Sequence, residues 1–394
     1  MRLTIQDVLS SGADSFLATY RLPREVKQAV YRLRYCRTMA MGFHVRRCPH
    51  GHVEQICYNS CKHRACPQCN WMASTRWLEV ERERLLDCAH FHVVFTLPSE
   101  LRLLWRWNRE VFGGIFFQAA GRALLELLAD AKYLGGKPGI LLALHTWTQR
   151  LHGVHPHIHA LVSGGGLTPD GAWTEAKANW LLPLRVLMHK FRGKLRALLW
   201  AALRKGKLQV PAGQNAARVR GLLNRLGRLP VHVKILEPYR HGRGVATYLA
   251  RYLRGGPMSN RRLVSLQDGM VTFRYLDRRG DLPQKRLARV PVETFLYRYF
   301  QHVPPKHFVM VRRYGLYANN QRDALNQARC HLDQAAWEKP EPSRFAELLE
   351  EMGCDEPGRC PVCHAELICE RPVAAPIRAP PIPKPNHASL PALI

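Results

Sequence analysis

The sequence predicts an α+β chain: an antiparallel sheet flanked by helices, with a small cysteine-rich module near the N-terminus. Three observations predict it. Short β-type runs, FHVVFTL at 91–97, GILLALHTWTQ at 139–149 and HPHIHALVS at 155–163, lie among long helical patterns, and the last two are joined by a connection too short for a parallel crossover. Five of the twelve cysteines fall between Cys48 and Cys69. The chain has 394 residues, 46% of them hydrophobic, with 59 Lys and Arg against 30 Asp and Glu, a net charge of +29. That length and apolar content can bury a sizeable core in two or three domains. A charge of that size points to a polyanionic partner, and nucleic acid is the default.

Residues 1–40 read as an N-terminal helical segment, with Phe16, Leu17, Tyr20, Val26, Val30 and Leu33 as its apolar positions. Residues 41–88 hold the cysteine module and a charged connecting helix, WLEVERERLLD. Residues 89–320 read as one sheet-and-helix domain. The strand at 91–97 is closed by Pro98, and a long apolar helix follows over 100–130, broken at Gly113-Gly114. The strands at 139–149 and 155–163 pair antiparallel, and GGGLTPDG is a turn. A very basic helix at 184–208 leads to a short strand, VHVKIL, at 231–236. Residues 243–254, RGVATYLARYLR, form a helix stopped by Gly255-Gly256-Pro257. VSLQDGMVTFRYLD is a hairpin turning at Asp268-Gly269. Residues 321–370 are a C-terminal region, and 371–394 a Pro-rich tail expected to be disordered. No apolar run reaches 18 residues, and the N-terminus mixes Asp7 and Gln6 into its apolar positions. Neither a membrane span nor a signal peptide is therefore expected, and the protein is placed in the cytoplasm, associated with the nucleoid.

Cysteines in that compartment stay reduced, so their clusters read as metal sites. Cys66-Pro-Gln-Cys69 is a zinc knuckle that supplies two ligands from one turn. Cys48 is the best third ligand, and the fourth is left open among Cys61, His52, His50 and Cys57. Such an ion would be structural, folding a segment too small to hold itself together. Arg46, Arg47, Lys62 and Arg64 are interleaved among the ligands, which suits a module facing phosphate. Cys354, Cys360, Cys363 and Cys369 form a second cluster that could hold a second zinc.

His157-Ile158-His159 places two imidazoles on one face of a strand. That is half of a metal site, able to polarise a phosphodiester once a third ligand joins. An isolated H-x-H is more often two ordinary surface histidines. Here it lies in an apolar strand of a strongly basic chain. His92 is one candidate third ligand and His232 a weaker one, whereas His145 and His152 read as structural or DNA-contacting. Tyr248 and Tyr252, at i and i+4, share one helix face, flanked by Arg243, Arg251 and Arg254 as DNA contacts. An isolated pair of this kind usually packs a helix. Beside a metal and arginines, a phenol with a reference pKa of about 10 becomes a competent nucleophile.

The stretch LHTWTQRLHGVHPHIHALVSGGG, the run FHVVFTLPSELR, the helix VATYLARYL followed by SNRRL, and the cysteine module together resemble the two-tyrosine HUH (His-hydrophobic-His) transposases of the insertion-sequence ninety-one family. Four separated motifs in the family's order cover roughly residues 40–320. The resemblance implies an HUH endonuclease-like antiparallel sheet with the histidine pair on a central strand and the tyrosine helix near it. It implies His157 and His159 as ligands of Mg²⁺ or Mn²⁺, Tyr248 and Tyr252 as nucleophiles, and the cysteine module as a transposase zinc-binding domain. The implied activity is nicking and strand transfer of single-stranded DNA at transposon ends through 5′-phosphotyrosine intermediates, in rolling-circle transposition. The family's usual C-x-x-C-G is replaced here by CPHGH, so a histidine or a later cysteine must stand in. Two rival functions share parts of this pattern: a replication initiator or relaxase using the same chemistry, and a non-catalytic zinc-containing DNA-binding regulator.

Overall fold

The structure is a computed structural model that describes residues 2–177, 180–241, 244, 256–277, 282–341, 343, 347–348 and 358–370. Its centre is an antiparallel sheet. The strands are β3 (His90–Thr96), β4 (Lys137–His145), β5 (His157–Leu167), β7 (His232–Ile235) and β11 (Val311–Gly315), with β6 (Trp173–Glu175) pairing off β5. Their order across the sheet is β11-β4-β5-β3-β7. β5 is central and buried along nearly its whole length, which explains why it reads as an almost continuous apolar run.

Strand alternation assigns the two faces. Phe91, Val93, Phe95, Ile140, Leu142, Leu144, Ile158, Ala160 and Val162 point one way, into the largest core, formed with helices α5 (Arg109–Leu128) and α6 (Leu184–Arg204). Fully burying each large apolar side chain stabilises the fold by about 1.5–3 kcal/mol. Leu141, Ala143 and Leu161 point the other way. There they meet Leu85 and Leu86, which follow α3 (Trp71–Arg84), as well as Tyr317, Trp337 and helix α9 (Arg322–Cys330). That second core covers only one end of its face. The histidines stand on the remainder.

Two local details differ from the expectation, and a third follows it. The long apolar helix is interrupted at Asn108, between α4 (Arg102–Trp107) and α5, and runs unbroken through Gly113-Gly114. Gly113 is there to admit the Phe308 ring, which would lie 2.5 Å from an added Cβ. Gly164, Gly165 and Gly166 belong to β5 instead of a turn. A Cβ on Gly164 would come within 2.8 Å of the Ala89 carbonyl oxygen, and one on Gly166 within 2.7 Å of Lys137 backbone. The triple glycine thus lets three strands close up, and the chain reverses after it, at Thr168–Gly171. The expected hairpin forms from β8 (Leu263–Gln267) and β9 (Met270–Asp277). Asp268 and Gly269 both have positive φ, 51° and 67°, as a tight hairpin turn requires.

Residues 256–277 and 282–303 pack chiefly against the N-terminal segment. Helices α1 (Ile5–Thr19), α2 (Arg24–Arg34) and α8 (Val292–Phe300) share a core with β8 and β9, and β10 (Gln284–Pro291) pairs with β9. Cys36, Cys61 and Cys66 sit inside this same core. A third sheet, order β12-β1-β2, joins β1 (Phe43–Arg47) and β2 (Glu54–Tyr58) to β12 (Ile368–Glu370) from the far end of the chain. Among the described residues one helix, α5, is long and apolar enough to cross a membrane, and 67% of that stretch is buried inside the protein.

Candidate metal centre

The register of β4 and β5 sets His145 directly opposite His157, and Ala143 opposite His159. On the other side of β5, β3 sets Val94 opposite His159 and His92 opposite Leu161. Paired residues share a face, so four imidazoles converge on the part of the sheet that lies beyond this second core. The ring centroids of His145 and His159 are 4.4 Å apart, those of His157 and His159 4.9 Å, and those of His145 and His157 5.5 Å. One ring nitrogen from each of His145, His157 and His159 lies within 4.8 Å of the other two. His92 stands just outside that trio, with Nε2 2.8 Å from His159 Nδ1. The placement therefore differs from the sequence expectation. His145 joins the histidine pair, and His92 is a neighbour that hydrogen-bonds one member of it. His232 is exposed on β7, opposite Thr96, and His152 is exposed in the β4–β5 connection.

The electrostatics suit ligation. Burial pushes His157 down to about 4. Burial, with the neighbouring His157 and His92, pushes His159 down to about 2. Burial holds His92 at about 4 and His145 well below the usual imidazole range. All four are therefore neutral near pH 7, the form that binds a metal. His157 Nδ1 donates to the His155 carbonyl at 2.7 Å, which leaves Nε2 as its free lone pair.

A cleft of about 700 Å³ opens beside these rings. His92, His159, His232, Lys234, Tyr239 and Gly244 are among the residues lining it. Gly244 precedes Tyr248 by four residues. Tyr248 and Tyr252, together with Arg243, Arg251 and Arg254, lie outside the described residues.

Among the described residues the cysteines form two clusters, neither of them the expected set. Cys36, Cys61, Cys66 and Cys69 present four sulfurs within 4.8 Å of one another. Cys61 Sγ lies 3.6 Å from Cys69 Sγ, and Cys66 Sγ 3.7 Å from Cys36 Sγ. Cys48, His52, Cys360 and Cys363 form the second cluster. Cys48 is thus removed from the Cys66-Cys69 knuckle, and Cys36 takes its place. The reason is that α2 ends at Arg34, and its packing against the knuckle delivers Cys36 to the site. A buried cysteine at the end of an amphipathic helix, twelve residues before Cys48, was the available signal. Cys57 lies in β2 opposite His44 and belongs to neither cluster. Cys369 is exposed in β12, and Cys354 lies outside the described residues.

Comparison with known proteins decides the family. A family model described as "Putative transposase" matches residues 139–324, and one described as "Transposase zinc-binding domain" matches residues 8–97. "Putative transposase y4qJ" of Sinorhizobium fredii (strain NBRC 101917 / NGR234) is 34% identical over 372 residues, 91% of this chain and 92% of the relative. The "Transposase for insertion sequence element IS801" of Pseudomonas savastanoi pv. phaseolicola is 32% identical over 326 residues, 82% of this chain and 76% of that protein. This chain belongs to the insertion-sequence ninety-one family of transposases. No solved structure matches it. The transposase carries its zinc-binding domain at the N-terminus, and the four thiols at Cys36, Cys61, Cys66 and Cys69 fit a structural zinc ion: the set is closed and largely buried. The region matched by the zinc-binding model begins before α2 and so includes Cys36. As a transposase the protein acts on DNA, in keeping with its net charge of +29.

Proposed function

We propose that this transposase cuts single-stranded DNA at the ends of its element, with Tyr248 and Tyr252 as nucleophiles and His145, His157 and His159 as ligands of a divalent ion. The supporting observation is the convergence of three neutral imidazoles beside a cleft that reaches Gly244, at the start of the tyrosine segment. Three imidazoles are a softer donor set than the oxygen ligands Mg²⁺ prefers, so Mn²⁺ fits this site better. Bound there, the ion would polarise the scissile phosphodiester and offset charge on its oxygens.

The chain's own residues would do the rest. The tyrosine oxygen, having lost its proton, attacks phosphorus. The bond from phosphorus to the 3′ oxygen breaks, and that oxygen takes up a proton to leave as a 3′-hydroxyl. The phosphate stays on the 5′ end as a phosphotyrosine. The new ester keeps the energy of the broken one, so rejoining to another 3′-hydroxyl needs no nucleotide cofactor. Each tyrosine holds one 5′ end, and two serve the two cuts that moving a segment by a rolling-circle route requires. Lys234, Arg243, Arg251 and Arg254 would hold the strand by its phosphates.

The test is covalent capture of labelled single-stranded DNA in Mn²⁺, read on a denaturing gel and by mass spectrometry of the linked peptide. Tyr248→Phe and Tyr252→Phe should each leave some adduct and lower transposition, and the double variant should form none. Adduct formation by the double variant, or linkage to Tyr239, would overturn the assignment.

A further inference from the structure

The second cysteine cluster has a property that its sequence positions do not suggest. Its ligands come from opposite ends of the chain. Cys48 and His52 lie between β1 and β2, and Cys360 and Cys363 lie 315 residues beyond Cys48 at the farthest. Cys48 Sγ is 3.5 Å from Cys363 Sγ and 3.6 Å from His52 Nδ1. A tetrahedral zinc with a Zn–S bond of about 2.3 Å sets its sulfurs roughly 3.8 Å apart. A disulfide needs about 2.05 Å. The observed spacing is that of co-ligands.

Two further features point the same way. The backbone N–H of His50 donates to Cys48 Sγ at 3.4 Å, and that of Val362 donates to Cys360 Sγ at 3.5 Å. An amide aimed at the sulfur two residues back favours thiolate over thiol. The same contact occurs from His63 to Cys61 in the four-thiol site. Independently, the chain just after Cys363 is laid along the module. β12 pairs antiparallel with β1, with Val45 opposite Glu370, Arg46 opposite Cys369 and Arg47 opposite Ile368. Arg47 and Glu370 form an ion pair at 3.4 Å. All three residues of β12 are exposed, so no apolar burial holds it there. A three-residue strand without a core does not sustain itself. The chain before it is anchored at Ser343, whose carbonyl accepts from Arg76 and whose hydroxyl donates to Glu79 on α3, so what β12 needs is a local anchor beside β1 other than apolar burial.

We propose that Cys48, His52, Cys360 and Cys363 bind a second zinc ion, which clasps the C-terminal segment 358–370 onto the N-terminal zinc-binding domain. Three thiolates and one neutral imidazole make a closed set with no open position for catalysis. The ion is structural, and its role is to complete the β12-β1-β2 sheet. His50 Nδ1 also approaches Cys363 Sγ, at 3.4 Å, but stands outside the mutually close group, so His52 is the fourth ligand. Cys369 is a ladder residue and not a ligand.

The test uses the full-length, reduced protein. Zinc measured by mass spectrometry should be two per chain in the parent, one in Cys363→Ser and in Cys360→Ser, and still two in Cys369→Ser. Cobalt substitution reads the second site directly. The parent spectrum should be the sum of a four-sulfur and a three-sulfur-one-nitrogen centre, and Cys363→Ser should retain the four-sulfur part alone. Hydrogen exchange separates a lost clasp from general misfolding. In Cys363→Ser, residues 368–370 should lose protection while α2 and the Cys36 site keep theirs. One zinc per chain in the parent, an unchanged count in Cys363→Ser, or a Cys48–Cys363 disulfide in its place would overturn the proposal.

Discussion

Replacing Cys36 with serine is the sharpest test of which four side chains hold the zinc of the N-terminal domain. Cys36 is fully buried, and its sulfur lies 3.7 Å from that of Cys66. Serine keeps the size of the side chain but substitutes a weak oxygen ligand for a thiolate. A structural zinc contributes on the order of 10–16 kcal/mol when it folds a small module. Shared among the four thiolates of this site, that is about 2.5–4 kcal/mol per ligand, or roughly two to three powers of ten in zinc affinity. Cys36, Cys61 and Cys66 share a core with α1, α2 and α8, so loosening the ion loosens that core too. A loss of about 3 kcal/mol from a unit of this size should lower the melting temperature by roughly 6–12 °C. The assay pairs zinc release to a chromogenic chelator with thermal unfolding, in Cys36→Ser, Cys48→Ser and Cys57→Ser. Cys36→Ser should release one zinc much faster and melt lower. Cys48→Ser should leave the four-thiol zinc in place, and Cys57→Ser should behave as the parent. If Cys36→Ser held its zinc as tightly as the parent while Cys48→Ser lost the ion bound by Cys66 and Cys69, the assignment would be refuted.

His157→Ala, His159→Ala and His145→Ala should each reduce nicking by at least a hundredfold while leaving single-stranded DNA affinity within a few-fold, because affinity comes from phosphate contacts and should fall steeply with salt. His92→Ala should be milder, since His92 supports His159 through one hydrogen bond; equal loss from His92→Ala and His145→Ala would count against the trio. With three imidazole ligands, Mn²⁺ should support nicking at lower concentration than Mg²⁺. Stability should also depend on pH through His90. It is fully buried, donates from Nδ1 to the Cys88 carbonyl at 2.9 Å and accepts at Nε2 from the Tyr317 hydroxyl at 2.7 Å, and burial pushes it down to about 4. The unfolded chain takes up this proton below about pH 6.5 while the folded chain refuses it until about pH 4, so stability is full above 6.5 and falls as pH drops through that window, by up to about 3 kcal/mol. Denaturant unfolding from pH 7.5 to 5 should show a clearly shallower decline in His90→Gln, and an identical decline would exclude His90 as a source.

Several features of the protein were decided within a few residues of chain and could be read there. Alternation in HIHALV puts His157 and His159 on one face, and no packing can change that without moving the strand. The Asp268-Gly269 turn follows from two residues that tolerate positive φ. The Cys66-Cys69 knuckle and the antiparallel pairing of β4 with β5 follow from spacing alone. The partners of these local features were decided at long range. His145 joins the histidines because β4 and β5 bury Leu142 and Leu144 against α5, and that register carries His145 opposite His157. Cys36 joins the knuckle because α2 buries Val26, Val30 and Leu33 in the core that holds Cys61 and Cys66. Cys48 meets Cys363 across 315 residues, a closure that no local pattern encodes. Gly164-Gly165-Gly166 reads as a turn by composition and is a strand because three backbones must pass closely there. Local periodicity sets the direction of each side chain. Which side chains meet depends on how whole faces find burial together, and that is a property of the folded chain.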